Sequence, residues 1–198
     1  MRTLIALLFG CLISSSSLAA VPDDSLAIAR SAEADETWRK ARIRPQDPRL
    51  TDLLRDGVAR SATFRSLVTR IEAGNVFVYL SLSPVMKSTL AGKLTWITNA
   101  GRFRYLRATI NTEQSFDQMI ATLAHELQHA VEVSADDSVT DQRSLQELYK
   151  RIGRPSFTGI NAGWETEAAQ QTGLQVRREL TAATATASTA RVGDRTQS

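Results

Sequence analysis

Cysteine is almost absent from this chain of 198 residues: the single one is Cys11, inside an apolar N-terminal stretch. Histidine is nearly as scarce, with two in all, His125 and His129. No block of one charge occurs: 24 Lys and Arg stand against 21 Asp and Glu, a net charge of +3, with basic and acidic residues interleaved. The apolar run Leu4 to Ile13 is too short to cross a bilayer comfortably. Each absence excludes a class. A chain without paired cysteines has no disulfide framework, so its stability must come from its core and from any bound metal. Scattered basic residues leave no electrostatic footprint for nucleic acid. The length suits one domain, and 42% hydrophobic against 23% charged residues is an ordinary globular balance.

The N-terminus reads as a targeting segment. Arg2, the apolar run, Ser14 to Ser17 and the small residues Ala19 and Ala20 follow the order of a secretory signal. Residues 1–20 are therefore read as a signal peptide cut after Ala20. The chain is then exported, periplasmic or secreted, and has no membrane association after cleavage. Leu8-Phe9-Gly10-Cys11 faintly resembles a lipoprotein ending, which makes lipidation the minor alternative.

Residues 21–48 form an N-terminal segment with helical spacing around Leu26 to Ile43 but few large apolar residues, and Pro45 and Pro48 break it. Leu53, Leu54 and Val58, then Phe64, Leu67, Val68 and Ile71, predict two short helices. At Gly74-Asn75 the period changes. Val76 to Leu82 alternates as a strand, Leu94 to Thr98 is a second, and arginine-rich Phe103 to Ile110 is a third, exposed on one face or at an edge. The short turn Asn99-Ala100-Gly101 predicts an antiparallel hairpin. Ser115 and Gln118 have capping-box spacing before a helix over Phe116 to Val133. Leu145, Leu148 and Ile152 give another, ended by Gly153 and Pro155, and a last helix covers Ala162 to Ala182. Residues 183–198 lack apolar anchors and read as a disordered tail. The sum is an α+β fold: a small antiparallel sheet of about three strands packed on the Phe116 helix, with further helices covering it and the domain proper spanning 49–182.

That helix carries His125-Glu126-Leu127-Gln128-His129, an H-E-x-x-H pattern. Residues four apart lie one above the other on a helix face, so both imidazoles can reach one ion. The glutamate between them can take a proton from water and return it to a leaving group. Phe116, Met119, Ile120, Leu123, Leu127, Ala130 and Val131 fall together as a core face, and the two histidines fall nearly opposite. A catalytic zinc site needs a third ligand and an open position for a water whose pKa the metal lowers to about 7. With no third histidine and no cysteine left, that ligand must be a carboxylate. Trp164-Glu165-Thr166-Glu167-Ala168-Ala169 offers two. Glu165 shares its helical face with Ala169, Gly173, Val176 and Leu180 and is preferred. Glu167 shares a more solvated face with Gln171, Leu174 and Arg178.

The two motifs together resemble the gluzincin branch of the zincin metallopeptidases, in which H-E-x-x-H sits on one helix and a glutamate on a following helix completes the site. The chain also resembles small exported bacterial proteins with H-E-L-x-H and a later E-T-x-A-A. The resemblance covers about Val76 to Leu180. It implies one Zn²⁺ held by His125, His129 and Glu165, with Glu126 as general base, acting on a peptide or protein substrate. A zinc-stabilised but catalytically silent binding module is the rival reading. Many gluzincins place an aspartate four residues after the ligand glutamate to orient a histidine, whereas here that position is Ala169. In zincins an edge strand also pairs with the substrate, a role open to Phe103 to Ile110. Tyr149, Tyr105 and Arg154 are the candidates for an oxyanion partner. Trp96 and Trp164 read as core residues.

Overall fold

Caps and turns cut the chain into its elements. The computed structural model describes residues 41–86, 90–156 and 163–195. The signal peptide read at 1–20 and most of the helix read from Leu26 lie outside the described residues. The elements are β1 (Ile43–Pro45), α1 (Pro48–Arg60), α2 (Ala62–Ala73), β2 (Val76–Ser83), β3 (Gly92–Ala100), β4 (Phe103–Asn111), α3 (Phe116–Ser134), α4 (Gln142–Ile152), β5 (Arg154–Ser156), β6 (Gly163–Glu165) and α5 (Glu167–Arg195). Asp47 caps α1, with Pro48 in the first turn where its missing N–H costs nothing. Ser61 separates α1 from α2 and accepts from Phe64 N. The Ser115–Gln118 capping box opens α3 with both of its bonds present.

The fold is α+β, but the sheet differs from expectation. Four strands lie in the order β1-β2-β4-β3, with β1 and β4 parallel to β2 and only β3 antiparallel to β4. Alternation in sequence fixes which side chains share a face, and it leaves open which strand lies beside which. The β3–β4 hairpin forms as expected, turning at Gly101 with φ +57. β4 is no edge strand: it lies between β2 and β3. Its arginine richness is accommodated differently. Arg107 is exposed, whereas Arg104 is buried and donates from Nη1 to Val133 O at 2.7 Å and Asp136 O at 2.5 Å. Carbonyls at the C-terminal end of α3 are thereby satisfied.

The folded unit also starts earlier than residue 49, because Ile43 on β1 is fully buried. The core fills the space between the inner sheet face and helices α1, α2 and α3, with Leu50, Leu53, Leu54, Phe64, Val78, Leu80, Leu106, Ile120 and Leu123 fully buried. Each such large side chain contributes roughly 1.5–3 kcal/mol by leaving water. Gly57 lets α1 approach α3: a Cβ there would lie 3.1 Å from both Ile120 and Phe64. Phe116, placed on the core face by its spacing, is instead 42% exposed at the N-terminal end of α3, whereas Met119 and Ile120 are buried.

Two further corrections concern the C-terminal part. The last helix starts at Glu167, and Gly163–Glu165 forms a short strand paired with β5, with Arg154 opposite Glu165. The helix does not end at Ala182 but continues to Arg195, across most of the segment read as a disordered tail. Alanine and threonine there continue the turn begun by the anchored part of α5, and alanine is the strongest helix former. Val176 and Leu180 on α5 are fully buried against the rest of the fold. Among the described residues no helix is long and apolar enough to cross a membrane.

Candidate metal centre

The site is assembled by α3, β6 and the start of α5. On α3 the rings of His125 and His129, one turn apart, meet edge to face, their centroids 4.8 Å from each other at an interplanar angle of 82°. The histidine face is roofed rather than solvated: His129 is 6% exposed and Glu126 4%. Glu165 reaches the same point from β6, with Oε2 2.9 Å from His125 Nε2. One ligand atom from each of His125, His129 and Glu165 lies within 4.8 Å of the other two. Glu167 points elsewhere. It is exposed, and its carboxylate stands 3.8 Å from the exposed Arg154 guanidinium.

Two glycines shape these approaches. A Cβ at Gly153, the C-cap of α4, would stand 2.7 Å from Tyr149 O and 3.1 Å from Glu165 O, so the strand bearing Glu165 comes this close because no side chain intervenes. At Gly92, on the edge strand β3, a Cβ would lie 2.7 Å from Glu126 Oε1. β3 therefore passes directly against the carboxylate of the H-E-x-x-H pattern.

The donor set fits a divalent cation. Glu165 Oε2 is buried and has no partner in hydrogen-bond geometry, although His125 Nε2 is near. A buried carboxylate oxygen left this way is costly unless something positive takes it up. His129 Nδ1 is occupied by Glu132 Oε2 at 2.9 Å, which leaves its Nε2 as the available ligand atom. Two imidazole nitrogens and one carboxylate oxygen are ligand types that zinc accepts.

The carboxylates and histidines tune one another. Burial pulls the His125 pKa down, but Glu165, Glu126 and Glu132 outweigh it and hold the ring above its ordinary value of 6.5. Burial pushes Glu165 up, yet the adjacent His125 and then His129 bring it below the ordinary carboxylate value. Glu126 goes the other way. Its burial dominates, and although His129 and His125 oppose it, the carboxyl is raised. A buried carboxyl beside two imidazoles, with its pKa raised above the ordinary value, is suited to accept and return a proton.

Two clefts meet at this point. The larger, about 460 Å³, runs between β3, α3 and α5 and includes Leu90, Gly92, Thr122, Leu174 and Arg177. The smaller, about 240 Å³, lies toward α4 and includes Leu94, Leu145, Tyr149 and Trp164. Leu90, Gly92, Glu126 and Glu165 line both. Of the three oxyanion candidates, Tyr149 alone is here. Its ring lies 5.0 Å from that of His129, and its hydroxyl donates to His129 O at 3.2 Å. Burial first, then Glu132, Glu126 and Glu165, keep that phenol protonated well past its usual range. Tyr105 stacks on Phe77 at 5.0 Å on the opposite face of the sheet, and Arg154 is solvent-exposed. Trp96 is half-buried against the core, whereas Trp164 lines the smaller cleft.

Glu132, Thr166 and Gly92 escaped the sequence reading. Glu132 follows His129 by three residues, on the neighbouring ridge of the same helix, a spacing at which side chains meet. Thr166 sits where a cap precedes α5, and its Oγ1 accepts from Ala169 N at 3.1 Å. Comparison with protein-family models, with curated proteins and with solved structures finds no match, so the reading of this site rests on its own geometry.

Proposed function

We propose that the protein is an exported zinc-dependent hydrolase of peptide bonds, with the zincin arrangement in its gluzincin form. The observation that carries this reading is the convergence of His125, His129 and Glu165 within 4.8 Å of one another, with Glu126 buried beside them at the junction of two clefts. His125, His129 and Glu165 would hold the ion. A zinc ion there would supply Lewis acidity toward a carbonyl and lower the pKa of water.

The chain's own residues do the rest. Glu126 accepts a proton from the attacking water and passes it to the departing amine, a role suited to its elevated pKa. β3 is the edge of the sheet beside the site, and Gly92, Lys93 and Leu94 on it line the smaller cleft. An extended peptide can add to that edge through main-chain hydrogen bonds, a role that falls to β3 rather than β4. The orienting carboxylate missing at Ala169 has a counterpart in Glu132, which removes the main argument for a silent site. One observation still favours the silent module: the Tyr149 hydroxyl is engaged by His129 O and is not free for an oxyanion.

The Glu126→Gln variant separates the two readings. With fluorescein-labelled casein as substrate, hydrolysis should fall by about 10²–10⁴-fold while zinc remains bound. Wild type without hydrolysis on any unfolded protein substrate, yet with zinc in place, would favour the silent module. Export is tested by N-terminal sequencing of the mature protein, which should begin at Val21.

A further inference from the structure

His129 is held by a chain of polar groups that extends beyond the metal ligands. Each oxygen of Glu132 has a partner: Oε2 lies 2.9 Å from His129 Nδ1, and Oε1 accepts from Thr166 Oγ1 at 2.7 Å. Thr166 Oγ1 itself accepts from Ala169 N in the first turn of α5. Little water competes, because the side chains of His129 and Glu132 are 7% and 10% exposed and Thr166 is 3% exposed.

The directions of these bonds follow from donor counting. A hydroxyl has one proton, and with Ala169 N–H pointing at its oxygen, that proton is given to Glu132. A carboxylate accepts and does not donate, so the proton it shares with His129 sits on Nδ1. We infer that Thr166 and Glu132 form a positioning relay that fixes His129 in the Nδ1–H tautomer, leaves Nε2 as its ligand atom, and ties it to Glu165 one residue before Thr166. The relay's consequence for metal rests on the zinc reading above. Thr166 thus does two things at once: it caps α5 and couples two ligands that come from different elements. Ala169 fits the same scheme. It is fully buried in the first turn of α5, where the carboxylate that orients the histidine comes from α3 instead.

Two readouts test the relay separately from the metal. In metal-free protein above the histidine titration range, long-range ¹H–¹⁵N NMR should show His129 protonated on Nδ1. In Glu132→Leu, which removes the acceptor facing Nδ1, the Nε2–H form should appear, whereas Thr166→Val keeps that acceptor and should keep Nδ1–H. Zinc affinity measured by competition with a chromogenic chelator should drop about 10–100-fold in Glu132→Leu and Thr166→Val, the usual effect of losing a group that orients a ligating histidine, and should return in Thr166→Ser, which keeps the hydroxyl. Thermal unfolding of the metal-free variants reports what the same bonds add to stability. If Glu132→Leu keeps both the Nδ1–H tautomer and wild-type zinc affinity, the relay is overturned and the zinc reading stands. If wild type binds no zinc but its tautomer is lost in Glu132→Leu, the zinc reading falls and the relay stands.

Discussion

Alanine at Gly92 would put a methyl group where the Glu126 carboxylate now lies. That Cβ would stand 2.7 Å from Glu126 Oε1 and from Thr122 Cγ2, and 3.1 Å from Glu126 Cγ. Ordinary contact begins at 3.4 Å, so about 0.7 Å of space must be found by moving one side. Gly92 is fixed by its pairing with Ile110, and Glu126 has rotatable bonds, so the carboxylate moves. Overpacking of this kind costs about 1–3 kcal/mol of stability. A displacement approaching 1 Å in a proton-transferring group costs up to about 100-fold in kcat. The atoms nearest the new methyl belong to Glu126 and Thr122, not to the proposed ligands His125, His129 and Glu165, so zinc affinity should change little. Casein hydrolysis, chelator competition for zinc and thermal unfolding, measured on Gly92→Ala beside wild type, check the three quantities. Full hydrolytic activity in the variant, or loss of zinc in parallel with loss of activity, would refute the reasoning.

Other perturbations follow from the same structure. Glu165→Gln should weaken zinc by at least about 100-fold, whereas Glu167→Gln, whose side chain faces solvent and Arg154, should leave affinity near wild type in the same competition assay. Because Glu165, Glu126 and Glu132 outweigh burial and raise the His125 pKa above 6.5, protons should compete with zinc already on the high side of the ordinary histidine range. An affinity flat across that range would contradict this. Burial raises the Glu179 pKa, but hydrogen bonds from Ser61, Gln175 and Thr63 outweigh it and bring it from 4.5 down to about 2. Discounted for partial exposure, this anchoring of α5 to α2 contributes about 1–2 kcal/mol. It is present above pH 4.5 and lost as pH falls through 2, so in urea Glu179→Gln should trail wild type at neutral pH and match it near the lower limit. Arg104→Met should lower stability by about 1.5–3 kcal/mol in the same experiment, because it removes charged donors from the buried Val133 carbonyl and the half-buried Asp136 carbonyl.

The helical part of the site was legible because its signals are local. The Ser115–Gln118 capping box, the i,i+4 histidines and the break at Ser61 all involve neighbours within one turn, and each stands where its spacing places it. The sheet was less legible. The alternation of Val76, Val78 and Leu80, like that of Leu106, Ala108 and Ile110, correctly gives the buried faces, but strand order depends on long-range packing over α3, which no local pattern encodes. Glu165 was chosen on a helical face and turned out to lie on a strand. It still lies beside the two histidines, because Ala169, Val176 and Leu180 face inward and β6 enters the helix from that same side. Glu132 stayed hidden for a simpler reason. A glutamate on a helix is by default solvated, and its burial here comes from Thr166 and His129 closing over it from two elements.

The central claim is that three side chains of this chain hold one ion. Metal content by mass spectrometry, after purification without added chelator and dialysis into zinc-limited buffer, tests it most directly. The account predicts one zinc per chain in wild type and in Glu126→Gln, and almost none in His129→Ala. Wild type devoid of metal, or His129→Ala retaining it in full, would contradict the account.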